Sequence, residues 1–286
     1  MNPRLPLAAI TDEFAPNLET ALEGMAQVGM TGAELRMVSG KNILDLSDDE
    51  VDRARATVEA KGMKVISIAS PLLKVVLPDA PPVDHRFEQD SFASKHTIAD
   101  QPRLTHRAFE IARRTGARVI RVFSYWRTVE PDKCLDRIAA ALADLAERAA
   151  REDLLIGLEN EHACNIATGT ESARLLQAVK HPNLGLVWDP GNCAVAGEVP
   201  FPDGYRKLPK GRIVHVHAKD VRVVGGTPSW GVLGACDVDW KGQIAALVAD
   251  GYRGYASLET HWPGPHGDKF QASVICGWNL KALLSA

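Results

Sequence analysis

Short apolar runs rich in β-branched residues alternate with longer amphipathic stretches along the whole chain. Leu7–Thr11, Gly32–Val38, Lys64–Ser70, Arg118–Phe123, Leu154–Glu159, Leu184–Asp189, Arg212–Lys219 and Tyr255–Glu259 read as strands 1 to 8. Helices are predicted between them. Asn17–Val28 is helix 1, with Asn17 as its cap. Ser47 starts helix 2, Glu50 three residues on completes a capping box, and Gly62 ends it. Leu104–Thr115, Asp132–Arg151, Thr170–Val179, Asp239–Ala249 and Ala272–Leu284 follow the same logic. Pro200, Pro202 and Pro209 predict a short or distorted helix over Pro200–Lys210.

Eight strands, each followed by a helical segment, predict an α/β fold: a single (β/α)8 TIM barrel formed by residues 1–286 as one domain. A doubly wound sheet would need a glycine-rich phosphate loop after strand 1, and Thr11-Asp-Glu-Phe-Ala-Pro has none. The connection from Pro71 to Pro102 after strand 3 is long, rich in proline, and carries His85, Arg86 and His96. Its place after a strand end predicts a lid on the rim or a subunit contact, the latter in a homo-oligomer.

Composition narrows the partners. The 286 residues are 45% hydrophobic and carry a net charge of −3, which offers no general attraction to nucleic acid or an anionic membrane. No apolar run is long enough to span a bilayer, and the first residues lack the charged and apolar regions of a secretory leader. The five cysteines show no metal-type spacing and read as reduced thiols, so a cytoplasmic protein is expected.

The chemistry converges on Arg212-Ile-Val-His-Val-His-Ala-Lys-Asp220. Strand alternation puts His215 and His217 on one face, with Val214 and Val216 on the other. Strands 5, 6 and 8 end similarly, in Glu159, Asp189 and Glu259. The steps of 30 (159 to 189), 28 (189 to 217) and 42 (217 to 259) residues are each about one βα unit, so the four groups come from adjacent strands at one rim. Any one of them alone would read as a rim charge or a core histidine. Together, Glu159, Asp189, His217 and Glu259 form a mixed oxygen and nitrogen set for one divalent ion, Mn2+ first, with Mg2+, Co2+ or Zn2+ as alternatives. His215 lies one pleat deeper and is assigned to support or packing.

Glu159-Asn-Glu-His162, Trp188-Asp-Pro-Gly-Asn192, His215-Val-His-Ala-Lys-Asp220 and Leu258-Glu-Thr260 resemble the xylose isomerase-like barrel superfamily, which includes ketose 3-epimerases, hydroxypyruvate isomerase, inosose dehydratase and endonuclease IV. The resemblance extends to Gly32-Ala-Glu34-Leu-Arg36 and to Asp237-Val-Asp-Trp240. It implies the same four ligands, Asp220 as the acid of a His-x-x-acid pattern, and catalytic roles for Glu159 and Glu259 in moving protons. Two positions depart from the tagatose/psicose-type epimerases. Asn192 stands where they carry histidine, and Val223 where they carry arginine, with Arg222 one position short. Asn192, Lys219, Arg222 and His261 are the candidates for substrate binding. Three of them have a plainer reading: Asn192 closes a turn, Arg222 is a solvated rim charge, and Lys219 pairs with Asp220. Arg36, Arg121 and Glu34 either line the barrel mouth or form a structural ion pair.

Such a site suits proton transfer beside a carbonyl through an enediolate. The expected activity is a metal-dependent isomerase or epimerase of a small sugar or keto-sugar, with an inosose-type dehydratase as the alternative. A non-catalytic sugar-binding protein ranks lower. An abasic-site endonuclease ranks lower still: its extra histidines are replaced by Ser70-Pro-Leu72, Ser124-Tyr-Trp126 and Asn192.

Overall fold

The computed structural model describes residues 3–87 and 96–286. Strands β1 (Leu7–Ile10), β2 (Gly32–Leu35), β3 (Lys64–Ile68), β4 (Val119–Val122), β5 (Leu155–Glu159), β6 (Leu184–Trp188), β7 (Ile213–Ala218) and β8 (Ala256–Leu258) close a parallel barrel. β1 pairs with β2 on one side and β8 on the other, which removes both sheet edges. A strand covered on both faces is apolar throughout, as β1 and β6 are.

The local signals explain the outer helices. Asn17 caps Leu18–Val28 by accepting from the Thr20 N–H at 3.0 Å, and Gly29 ends that helix at φ +85°. Ser47 and Glu50 form the expected box at the start of Asp48–Ala60. In Leu135–Ala150 the buried positions Ile138, Leu142, Leu145, Ala146 and Ala149 recur at helical spacing and give the face that packs on the barrel. No helix among the described residues is long and apolar enough to cross a membrane.

The structure corrects the expected elements in four places. β2 stops at Leu35, and Met37–Val38 turns back on Lys41–Asn42 through Ser39 and Gly40, both at positive φ. After β7 the chain forms a second hairpin, Asp220–Val224 with Thr227–Gly231, around Gly225-Gly226 at φ +58° and +80°. Pro190–Val195 forms an unexpected helix directly after β6, while the proline-rich stretch keeps the short, distorted helix expected of it, over Pro200–Lys207 with non-helical Phe201 inside.

The fourth correction is a bulge. β6 pairs Leu186 with Ile213 but Val187 with His215, so Val214 is an extra residue. Its side chain turns into the barrel instead of away from it. A Cβ at Gly185 would stand 2.2 Å from Val214 Cγ1, and one at Gly157, on a strand two places away, 3.5 Å from Val214 Cγ2. Gly185 makes room for the bulge, after which β7 pairs with β6 in the register that includes His215.

Of the long connection, residues 88–95 lie outside the described residues, and with them the middle of the expected lid. The preceding part is built into the rim. Leu72, Leu73 and Val75 carbonyls accept from the N–H groups of Phe123, Tyr125 and Trp126 at 2.9, 2.8 and 3.0 Å. Lys74, buried, reaches over the Phe123 ring at 4.5 Å.

G185A is expected to lower stability by about 1–3 kcal/mol through overpacking against Val214. Adding V214A should restore part of that loss, since the two side chains share one space. Urea melts of the single and double variants check this, and additive losses would contradict it.

Candidate metal centre at the strand ends

Glu159 is the last residue of β5, Asp189 follows β6, His217 lies on β7 and Glu259 follows β8. All four are buried, and one ligand atom from each lies within 4.8 Å of the others. Asp189 serves two ends at once. Its Oδ1 caps the short helix by accepting from the Asn192 N–H at 2.8 Å. Its Oδ2 forms an ion pair with Lys219 Nζ at 2.9 Å and accepts no further hydrogen bond among the described residues.

Cations crowd the carboxylates. Arg121, from β4, donates to Glu159 Oε2 at 3.0 Å and to the Ala69 carbonyl at 2.9 Å. Arg36 donates to Glu259 at 3.1 Å and to Asp12 and Glu13 at 2.8 and 2.5 Å. Lys219 Nζ sits 2.7 Å from Glu259 Oε2 and 2.9 Å from Asp189 Oδ2, with its side chain 2% exposed. The expected alternative, a Lys219–Asp220 pair, is not formed. Asp220 turns the other way and accepts the N–H groups of Val221, Gly234, Cys236 and Val238 at 2.8–3.3 Å, so it anchors the loop beyond the hairpin. The His-x-x-acid pattern therefore delivers one residue to the centre and one to the scaffold.

His217 lies between carboxylates, with Nδ1 3.2 Å from Glu159 Oε1 and Nε2 3.1 Å from Glu34 Oε2. Burial opposes its charged form, but Glu34 and Glu159 outweigh that and hold its pKa well above the usual imidazole value. Asp189 shows the opposite imbalance. Burial pushes its carboxyl up to about 6, and Glu259 and Glu159 add to this against the pull of Lys219. Asp189 is thus the carboxyl whose burial is least offset by its neighbours. The oxygen-rich donor set converging from four strand ends fits a divalent cation.

Of the substrate candidates, Asn192 reaches the centre, where its amide donates to Glu159 at 3.2 Å and its oxygen lies 2.9 Å from His162 Nδ1. Lys219 is also there, and His261 lies at the mouth, 3.5 Å from Glu259. Arg222 is not brought in. It stands on the hairpin, 57% exposed beside Asp237, because β-alternation on that ribbon turns it outward. Arg36 and Arg121 do line the centre.

Several neighbours carried no clear local signal. Glu161 and His162 pair at 3.0 Å just past Glu159. Glu13, which follows β1, holds Arg36 and Lys269. Trp230 comes from the unforeseen hairpin and sits 4.6 Å from His261 and 5.3 Å from Lys219 Nζ. Its signal was the Gly-Gly dipeptide between β-branched residues.

Comparison with known proteins follows the same lines. A family model described as a xylose isomerase-like TIM barrel matches residues 22–276. An inosose dehydratase of Lactiplantibacillus plantarum is 30% identical over 147 residues, covering 45% of this chain and 47% of that protein. The chain thus spans about half the length of the curated relative it matches. Among solved structures, the IolI protein with a zinc atom superposes with a TM-score of 0.74 at 16% identity, covering 98% of both chains. The 3-keto-D-glucoside 4-epimerase of E. coli gives 0.68 at 16% identity, covering 99% of this chain and all of its own. At these identities the structural likeness shows the fold alone.

K219M is expected to destabilise the protein in EDTA by about 3–5 kcal/mol, because it leaves Asp189 and Glu259 buried without their shared counter-charge. Chemical denaturation in EDTA measures this. A loss below 1 kcal/mol would mean that water already compensates the pair.

Proposed function

We propose that this chain, which belongs to the xylose isomerase-like TIM barrel family, is a divalent-metal-dependent isomerase or epimerase of a small sugar or keto-sugar. The observation that carries this reading is the buried set Glu159, Asp189, His217 and Glu259, one from each of four consecutive strands, whose ligand atoms converge within 4.8 Å of one another. Manganese is the preferred ion for so oxygen-rich a set, with Mg2+, Co2+ and Zn2+ as alternatives. When bound, the cation supplies positive charge to steady the oxyanion of an enediolate.

The chain's own groups do the rest. Glu159 is held by Arg121 and Asn192, Glu259 by Arg36 and Lys219. Each carboxylate is thus fixed in orientation, and each keeps a pKa below the usual carboxylate value, against burial, through its cationic neighbours. Ionised and at opposite ends of the ligand set, they flank the space where a substrate carbon would lie. One removes a proton from the carbon beside the carbonyl and the other returns it. Return to the opposite face epimerises, and return to the neighbouring carbon isomerises. Asn192, Lys219 and His261 offer hydrogen bonds to substrate oxygens. The connection after β3 and the hairpin bearing Trp230 would shield the reaction from water.

A second reading, dehydration by loss of a hydroxyl β to the same carbanion, is favoured by the inosose dehydratase match. It uses the same first step.

The purified protein is expected to hold one divalent ion per chain by elemental analysis. H217A should lose it, while H215A should keep it and lose stability instead. The reverse pattern would make His215 the ligand. The reaction itself is checked in D2O with ketoses and keto-inositols, where the true substrate should take deuterium at one carbon. E159Q and E259Q should slow that exchange by about 100- to 10,000-fold. Loss of water with a new ultraviolet absorbance would select the dehydratase. Absence of exchange with any of these compounds would defeat both.

A further inference from the structure

Beneath the four-residue centre lies a second buried group that the proposed reaction does not use. Glu34 extends from β2 across the barrel interior, and its Oε2 accepts from His217 Nε2 at 3.1 Å, His215 Nε2 at 2.9 Å and Ser257 Oγ at 3.0 Å. Glu34, His217 and Ser257 are fully buried, and His215 nearly so. Glu34 Oε1 makes no hydrogen bond among the described residues, so the carboxylate is gathered onto one oxygen by three donors. Those donors come from β7 and β8, the two strands that also carry His217 and lead into Glu259.

We propose that Glu34 is the positioning residue that makes His217 a ligand. It holds the ring proton on Nε2 and thereby presents the Nδ1 lone pair to the centre. The argument is one of valence. A neutral imidazole has one N–H and one lone pair. His217 Nδ1 faces Glu159 at 3.2 Å and Glu259 at 3.7 Å, the side on which a cation would lie. Nε2 faces Glu34, and an ionised carboxylate can only accept. A cation on the Nδ1 side would displace any proton there, and the one proton that remains is then held on Nε2 by ionised Glu34. His215 and Ser257 fix Glu34 in turn, which gives the deeper histidine a role as well. The geometry is that of the carboxylate–histidine–metal arrangement in which the outer carboxylate orients the ring and raises its basicity. A second ion held by Glu34, His215 and His217 is the competing use of the same atoms. It would need Nε2 for itself, and Ser257 already occupies the same oxygen as a donor. This inference rests on the metal-site reading above.

The test uses the whole chain, stripped in EDTA and titrated with Zn2+. Calorimetry gives affinity and stoichiometry, and 15N-histidine spectra of the Zn2+-loaded protein give the tautomer, with H217Q supplying the assignment. Wild type should bind one Zn2+ and show His217 protonated on Nε2. E34Q should bind it about 10- to 100-fold more weakly, because an amide can rotate to donate and no longer enforces the tautomer. Should E34Q not fold by circular dichroism, E34D carries the test, since its shorter arm withdraws the acceptor while keeping the charge. Zn2+ affinity within two-fold of wild type in the folded variant, or a wild-type His217 protonated on Nδ1, overturns the role of Glu34. Two Zn2+ per wild-type chain overturns it in favour of the second ion. No Zn2+ binding by wild type overturns the metal reading itself, a result distinct from the others.

Discussion

Buried negative charge is the constraint on which the centre depends. Glu34, Glu159, Asp189 and Glu259 lie inside a barrel closed on all sides, and each would pay a heavy desolvation penalty if left alone. The protein answers each locally. Arg121 meets Glu159, Arg36 and Lys219 meet Glu259, and two imidazoles meet Glu34. Asp189 receives only a share of Lys219, and its carboxyl is driven up to about 6. Asp189 lies where one ligand atom from each of the four residues converges.

The architecture makes such an arrangement possible. Parallel strands all deliver their C-terminal residues to one rim, so successive βα units add groups to the same site without further instruction. Closure then lets side chains meet across the interior, as Glu34 from β2 meets His217 from β7. The Val214 bulge, accommodated by Gly185, shifts the register between β6 and β7 just before His215. Stability is sacrificed locally in polar burial and recovered in the apolar contacts between barrel and helices.

Much of this was legible in the chain because its carriers are periodic. Alternation placed His215 and His217 on one face, and the apolar runs ended in Glu159, Asp189 and Glu259 at βα spacing. Helix caps at Asn17, Ser47 and Asp239 follow from local hydrogen bonding, and the structure forms all three. The hairpin bearing Trp230 is not legible in the chain because Asp220–Gly231 continues straight out of β7. Arg222 was misplaced for the same reason: a ribbon turns every second residue outward, and without the ribbon there was no basis for choosing its side.

The sequence by itself determined the barrel, the order of its strands and the four residues at their ends, since these depend on patterns within one βα unit. Only the tertiary structure decided the partners. Whether Lys219 would face Asp220 or Asp189 and Glu259, and whether Asp220 would hold backbone instead, depends on how two neighbouring residues divide between barrel and hairpin. That Glu34 lies under His217 depends on barrel closure, because Glu34 is 181 positions from His215 and 183 from His217 along the chain and adjacent to them only through space. Short-range spacing tells which side chains share a rim. Contacts between distant strands, fixed by register, bulges and closure, tell which of them share a proton.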